Sequence, residues 1–232
     1  MTGEREDGGG YGVPRAESPT ERESAFNAPW PPLALAASFL ALYGLQSLAG
    51  PQDGFFNQYG FSPADLAQGR PAGLLTSLFV HGGWAHAFLN ALGAVAFGAP
   101  TARLFGVRVR GVVAFFAFFL VCGVLSGLVF AAFNWDQSFL LVGASGGVSG
   151  LMAAASRLIE RRGRLAPFLS RTVIGMSVAW LVVNLLVAAV GLSALTGGAP
   201  IAWQAHLAGF AAGLVLAGPF ARLGRGGAVA DD

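Results

Sequence analysis

The chain has 232 residues; 54% are hydrophobic before its 34 glycines are counted, and 11% are charged, whereas soluble domains run to about 45–50% apolar with glycine included. A soluble globule is excluded. All 14 basic residues are Arg, scattered and leaving a net charge of only +2, so nucleic acid is not an expected partner, and a single cysteine, Cys122, excludes an internal disulfide or a CxxC metal or redox motif and reads as a packing residue.

Nine of the 26 charges fall in residues 1–23. From Ser24 to Ala102 only Asp53, Asp65 and Arg70 are charged, from Gly111 to Ser156 only Asp136 is, and from Thr172 to Ala221 nothing is. Such runs far exceed the roughly 18–20 apolar residues that a membrane span needs. They predict six spans, at about 31–49, 72–98, 111–133, 140–158, 172–191 and 201–221. The last uncharged run holds two of them, separated by the turn-forming stretch Gly191 to Pro200. In hydrocarbon an unpaired backbone amide is too costly, and the alternation of a membrane barrel is absent, so the spans must be helices. The expected fold is an all-α membrane protein, a six-helix bundle over residues 31–221.

Residues 1–30 are polar and rich in Gly, Pro and Glu, without a basic region leading into an apolar one, and read as a disordered tail rather than a signal peptide. Residues 222–232 read as a second short tail. With six spans, 13 of the 14 arginines gather on one side and Arg70 stands alone on the other, which predicts both termini in the cytoplasm of a multi-pass cell-membrane protein. Abundant Gly and Ala with no Lys point to a GC-rich bacterial genome, hence a bacterial inner membrane. Residues 51–70, on the outer side, carry Phe55, Phe56, Tyr59 and Phe61 and suit a segment in the interfacial aromatic layer.

Chemistry is expected where polar side chains interrupt apolar spans, because each is costly there. Three positions stand out. In the second span, His81-Gly-Gly-Trp-Ala-His86-Ala-Phe-Leu-Asn90 puts His86 and Asn90 on one helix face, with His81 turned roughly 140° away if the helix is continuous. At the start of the fourth, Gly143-Ala-Ser145-Gly146-Gly-Val-Ser149-Gly150 sets a serine at a helix N-terminus, with free amides and a positive dipole end. In the sixth, His206 lies one turn before Gly209 and Gly213, a small-xxx-small face that suits close packing on the glycine-dense start of the fourth. Together they suggest Ser145 as nucleophile and His206 as general base, with the Ser145 amide, His86 and Asn90 donating to an oxyanion. No carboxylate lies in a span core, so a Ser-His dyad is expected, the histidine oriented by packing.

Taken singly, each feature is ordinary for a membrane helix. In combination, Leu-Thr-Ser-Leu-Phe-Val-His81-Gly-Gly-Trp-Ala-His86-Ala-Phe-Leu-Asn90, Gly-Ala-Ser145-Gly and Ala-His206-Leu-Ala-Gly209 with Gly213 resemble, in order and separation, the rhomboid intramembrane serine proteases, over about residues 61–220. The resemblance implies Ser145 as nucleophile, His206 as base and His86 with Asn90 in the oxyanion hole. His81, Gly143, Gly146, Gly209 and Gly213 take supporting roles. Ser149 also fits a Gly-x-Ser-Gly pattern, but Ser145 matches the Gly-Ala-Ser-Gly form and is nearer the helix N-terminus, leaving Ser149 as a packing residue. Two family positions differ: a Trp-Arg pair is replaced by Ala72-Gly73, and a Glu between two glycines by Ala102.

The implied activity is hydrolysis of transmembrane segments of other membrane proteins near the outer membrane boundary, after local unwinding and beside small residues. No cofactor or metal is expected. A transporter or metal-binding protein using His81, His86 and His206 is the rival class, although it lacks acidic or Cys ligands and leaves Gly-Ala-Ser145-Gly unexplained. A non-catalytic rhomboid-like protein that binds membrane clients is the second; such members typically lack the serine or the histidine.

Overall fold

The computed structural model describes residues 28–50, 52–135, 139–161, 163–190 and 202–226. Most of both predicted tails, the charged Asp136 and the predicted break at Gly191 to Pro200 lie outside these residues. The described chain is all-helical apart from one isolated bridge. Among its helices, five are long and apolar enough to cross a membrane: α1 (Trp30–Leu48), α5 (Trp84–Phe105), α6 (Val109–Phe133), α8 (Arg171–Val190) and α9 (Trp203–Arg225). The chain is a multi-pass membrane protein.

Two of the six predicted spans differ from the observed elements. The segment predicted at 72–98 begins with a short helix, α4 (Gly73–Thr76), and a 3-10 turn at Ser77–Phe79; the chain is then extended at Val80, and α5 starts only at Trp84. The segment predicted at 140–158 is helical only over α7 (Ser145–Ser156). Twelve residues rise about 18 Å, less than the roughly 30 Å of hydrocarbon. Ten of the twelve are buried, so protein rather than lipid surrounds this helix, and the irregular backbone before it is tolerated.

Glycine lets the central helices approach to backbone contact. A Cβ on Gly209 would collide with the Gly146 carbonyl, and one on Gly213 with the Gly150 carbonyl. The small-xxx-small face of α9 therefore lies on the matching face of α7, as the spacing predicts. On the other side of α7, Gly147 abuts Phe119 and Gly150 abuts Cys122, both on α6. Cys122 is a buried packing residue there. At the C-terminal end of α7, Arg157 lies over the Phe168 ring and donates from Nε to the Ala166 carbonyl at 2.9 Å and from Nη1 to the Leu214 carbonyl of α9 at 2.8 Å. The helix is thus tied to α9 at both ends.

Between α1 and α4 lie α2 (Gln52–Tyr59) and α3 (Pro63–Ala67), the latter opened by Ser62, whose side chain accepts from the Ala64 amide. Arg70 pairs with Asp65. Phe61 is no interfacial aromatic: it is fully buried with Leu74, Phe130, Ala131 and Ala205. Its backbone pairs antiparallel with Leu141 through bonds of 3.0 and 2.8 Å, and Gly73 has no room for a side chain against Gly60 and Phe61. The small residues Ala72-Gly73 thus admit this backbone. Ala102, between Gly98 and Gly106, is fully buried.

Candidate active site

The segment that bridges to Phe61 at Leu141 must turn to enter α7. Gly143 makes the turn at φ +113°, a region that L side chains avoid, with its amide bonded to the Ser77 carbonyl at 2.9 Å. A side chain there would also strike the His86 ring, 2.6 Å from the Cβ position to Nε2. Ser145 is consequently delivered, half-buried, as the first residue of α7, where first-turn amides lack intrahelical acceptors.

His206 projects from the first turns of α9, three residues before Gly209. Because Gly209 touches the Gly146 backbone, the imidazole reaches the start of α7: Nε2 lies 2.7 Å from Ser145 Oγ. Its other nitrogen, Nδ1, lies 2.7 Å from Asn184 Oδ1 on α8. The Trp180 ring flanks the imidazole with centroids 6.0 Å apart and planes inclined at 34°.

His86 and Asn90 occupy the N-terminal turns of α5. Asn90 is buried and donates from Nδ2 to the His86 carbonyl at 3.0 Å, which leaves the second amide hydrogen to offer. The Gly82 amide reaches His86 Nδ1 at 3.4 Å, an arrangement in which Nε2 carries the proton and, together with Cε1, lies beside Gly143. His81 precedes α5 instead of lying on it, so the 140° offset expected from a continuous helix does not apply, and the two imidazoles meet with centroids 5.3 Å apart. His81 is fully buried against Phe39, and its backbone exchanges hydrogen bonds with the Gln46 side chain at 3.1 and 2.8 Å. Ser149 donates from Oγ to the Ser145 carbonyl at 2.7 Å, buried inside α7. Among the described residues, no three His, Cys, Asp or Glu side chains are grouped so as to hold a metal ion.

Two neighbours of His206 escape the sequence reading: Asn184 and Trp180. Asn184 carried a signal, since it is the one amide side chain within the apolar run of α8. The rule that polar groups inside spans mark chemistry applies to it as much as to His86 or His206.

A family model described as Rhomboid domain matches residues 68–223, more than half of the chain, and spans every residue of this site. No curated protein matches the chain.

Proposed function

The chain belongs to the rhomboid family, whose members are generally intramembrane serine proteases, and on that premise we propose that it is a serine endopeptidase that cuts transmembrane segments of other membrane proteins with a Ser145-His206 pair. The observation that carries the reading is the 2.7 Å approach of His206 Nε2 to Ser145 Oγ at a half-buried helix N-terminus inside an apolar bundle. In the proposed reaction Nε2 takes the Oγ proton as Oγ attacks the scissile carbonyl. The Ser145 amide, His86 Nε2–H and the free hydrogen of Asn90 Nδ2 stabilise the oxyanion. The imidazolium then protonates the leaving amine, and water activated by the same nitrogen releases the acyl group.

Supporting roles follow from contact. Gly143 makes room for His86, Gly146 and Gly209 set the distance between α7 and α9, Gly213 continues that seam, and His81 packs behind His86. α7 is proposed as the sixth membrane element, short because the other helices enclose it. Both termini are proposed to be cytoplasmic in a bacterial inner membrane, from the arginine distribution, so that the site opens outward near the membrane boundary. A substrate helix must unwind there before its carbonyl is accessible, which favours Gly, Ala and other small residues beside the cut.

The test is cleavage of a generic transmembrane substrate in proteoliposomes by wild type, Ser145→Ala and His206→Ala, with the cut mapped by mass spectrometry. Cleavage by wild type alone, within or at the edge of the transmembrane segment, is the expected result. Substrate capture without cleavage by folded wild type would replace the protease reading by a client-binding one.

A further inference from the structure

Asn184 has no part in a Ser-His dyad, yet it is one of only two buried residues on α8, the other being Val173 near the opposite end. Its side chain makes two hydrogen bonds of defined polarity. Nδ2 donates to the Trp180 carbonyl at 2.8 Å, and a backbone carbonyl can only accept. That bond fixes which way the amide faces, so the atom 2.7 Å from His206 Nδ1 is the oxygen Oδ1, which also can only accept. The proton of a neutral imidazole must then sit on Nδ1, and Nε2 must present its lone pair to Ser145 Oγ–H. A flipped amide would set Oδ1 against the Trp180 carbonyl oxygen and point its N–H groups at the ring, selecting the tautomer that cannot accept the serine proton.

We propose that Asn184 is a positioning residue for the reaction: the chain Trp180 carbonyl, Asn184 amide, His206 imidazole and Ser145 hydroxyl locks His206 in the tautomer that serves as base. The proposal rests on the protease reading. It turns the dyad into a three-member relay of orientation with a neutral third group. Neutrality suits the location, because a carboxylate on a helix otherwise facing lipid would have to be desolvated, whereas an amide supplies the same acceptor without charge. An oriented Asn serves this purpose in cysteine proteases of the Cys-His-Asn type. Unlike a carboxylate it does not neutralise the imidazolium, so its contribution lies in geometry and tautomer, and it is read in kcat rather than KM.

The experiment compares wild type, Asn184→Leu and Asn184→Asp for cleavage kinetics and for 15N spectra of labelled histidine. The chain has only three histidines, and His206→Gln assigns the relevant signal. Asn184→Leu keeps the volume and removes the acceptor; kcat is expected to fall by about 10- to 100-fold with KM changed less than about twofold, while the 15N signal moves from pure Nδ1–H to a mixture of tautomers. Asn184→Asp restores an acceptor to Nδ1 in either protonation state and should recover most of the lost kcat. Unchanged kcat in folded Asn184→Leu, or an Nε2–H tautomer in wild type, would overturn the proposal. Wild type that cleaves nothing would instead overturn the protease reading, and the 15N spectra would still decide whether Asn184 fixes the ring.

Discussion

Gly143 concentrates two requirements in one residue, a φ of +113° and a side chain no larger than hydrogen against the His86 ring. Gly143→Ala should cost about 1–2 kcal/mol in backbone strain alone and displace His86, so fluorophosphonate labelling of Ser145 should fall by about tenfold or more in protein that still elutes as a folded species. Ser149→Ala removes one side-chain bond to the Ser145 carbonyl, worth about 1 kcal/mol, and should leave cleavage within about twofold of wild type. Retained labelling in the first variant, or lost cleavage in the second, would contradict the assignment of the two serines. Ser145, His206, His86 and Asn90 stand out in the sequence because each is a polar interruption in an apolar run with a motif around it. Asn184 meets the first criterion but sits in no motif, and the partner that gives it meaning is 22 residues away on another helix. His81, which the sequence sets on the second span, instead precedes α5, because nothing local announces that the chain is extended at Val80.

At the scale of elements, the seam between α7 and α9 sets the separation of Ser145 and His206, the proposed nucleophile and base. Gly209→Leu would drive a side chain into the Gly146 backbone, and overpacking of this kind costs about 1–3 kcal/mol or more. The variant should melt at lower temperature and lose labelling although Ser145 and His206 are intact. Gly175→Ala on α8, where nothing lies within 4 Å of the added methyl, is the control and should be neutral or slightly stabilising. The start of α8 is held differently: the exposed Glu160 carboxylate accepts from the Thr172 amide at 2.8 Å. This bonding to Thr172 holds its pKa below the usual carboxylate value. A depressed folded pKa means that the cap's stabilisation is present above the ordinary Glu pKa and is lost as pH falls through the lowered value. Glu160→Gln should therefore weaken the cap at neutral pH and flatten the acid dependence of the melting temperature; an unchanged slope would show that the cap contributes nothing. The seam was legible from glycine spacing alone. The length of α7 was not, because hydropathy reports how apolar a segment is and cannot say whether lipid or protein surrounds it.

For the molecule as a whole, the arginine distribution predicts orientation. Cysteines introduced by Ser18→Cys and Ala228→Cys should resist an impermeant maleimide added outside intact cells, whereas Gln58→Cys in α2 should react; buried Cys122 stays silent in all three. Reaction of the two terminal positions would invert the topology and turn the site inward. Orientation matters because two scales meet at the site, a membrane bundle that half-buries Ser145 and a chain of hydrogen bonds proposed to make the serine nucleophilic. The direct test of that union is mass-spectrometric mapping of the fluorophosphonate adduct on protein held in a bilayer. One modified residue is expected, Ser145, with the adduct abolished in His206→Ala. An adduct on Ser149, or a Ser145 adduct that forms equally well without His206, would contradict that expectation.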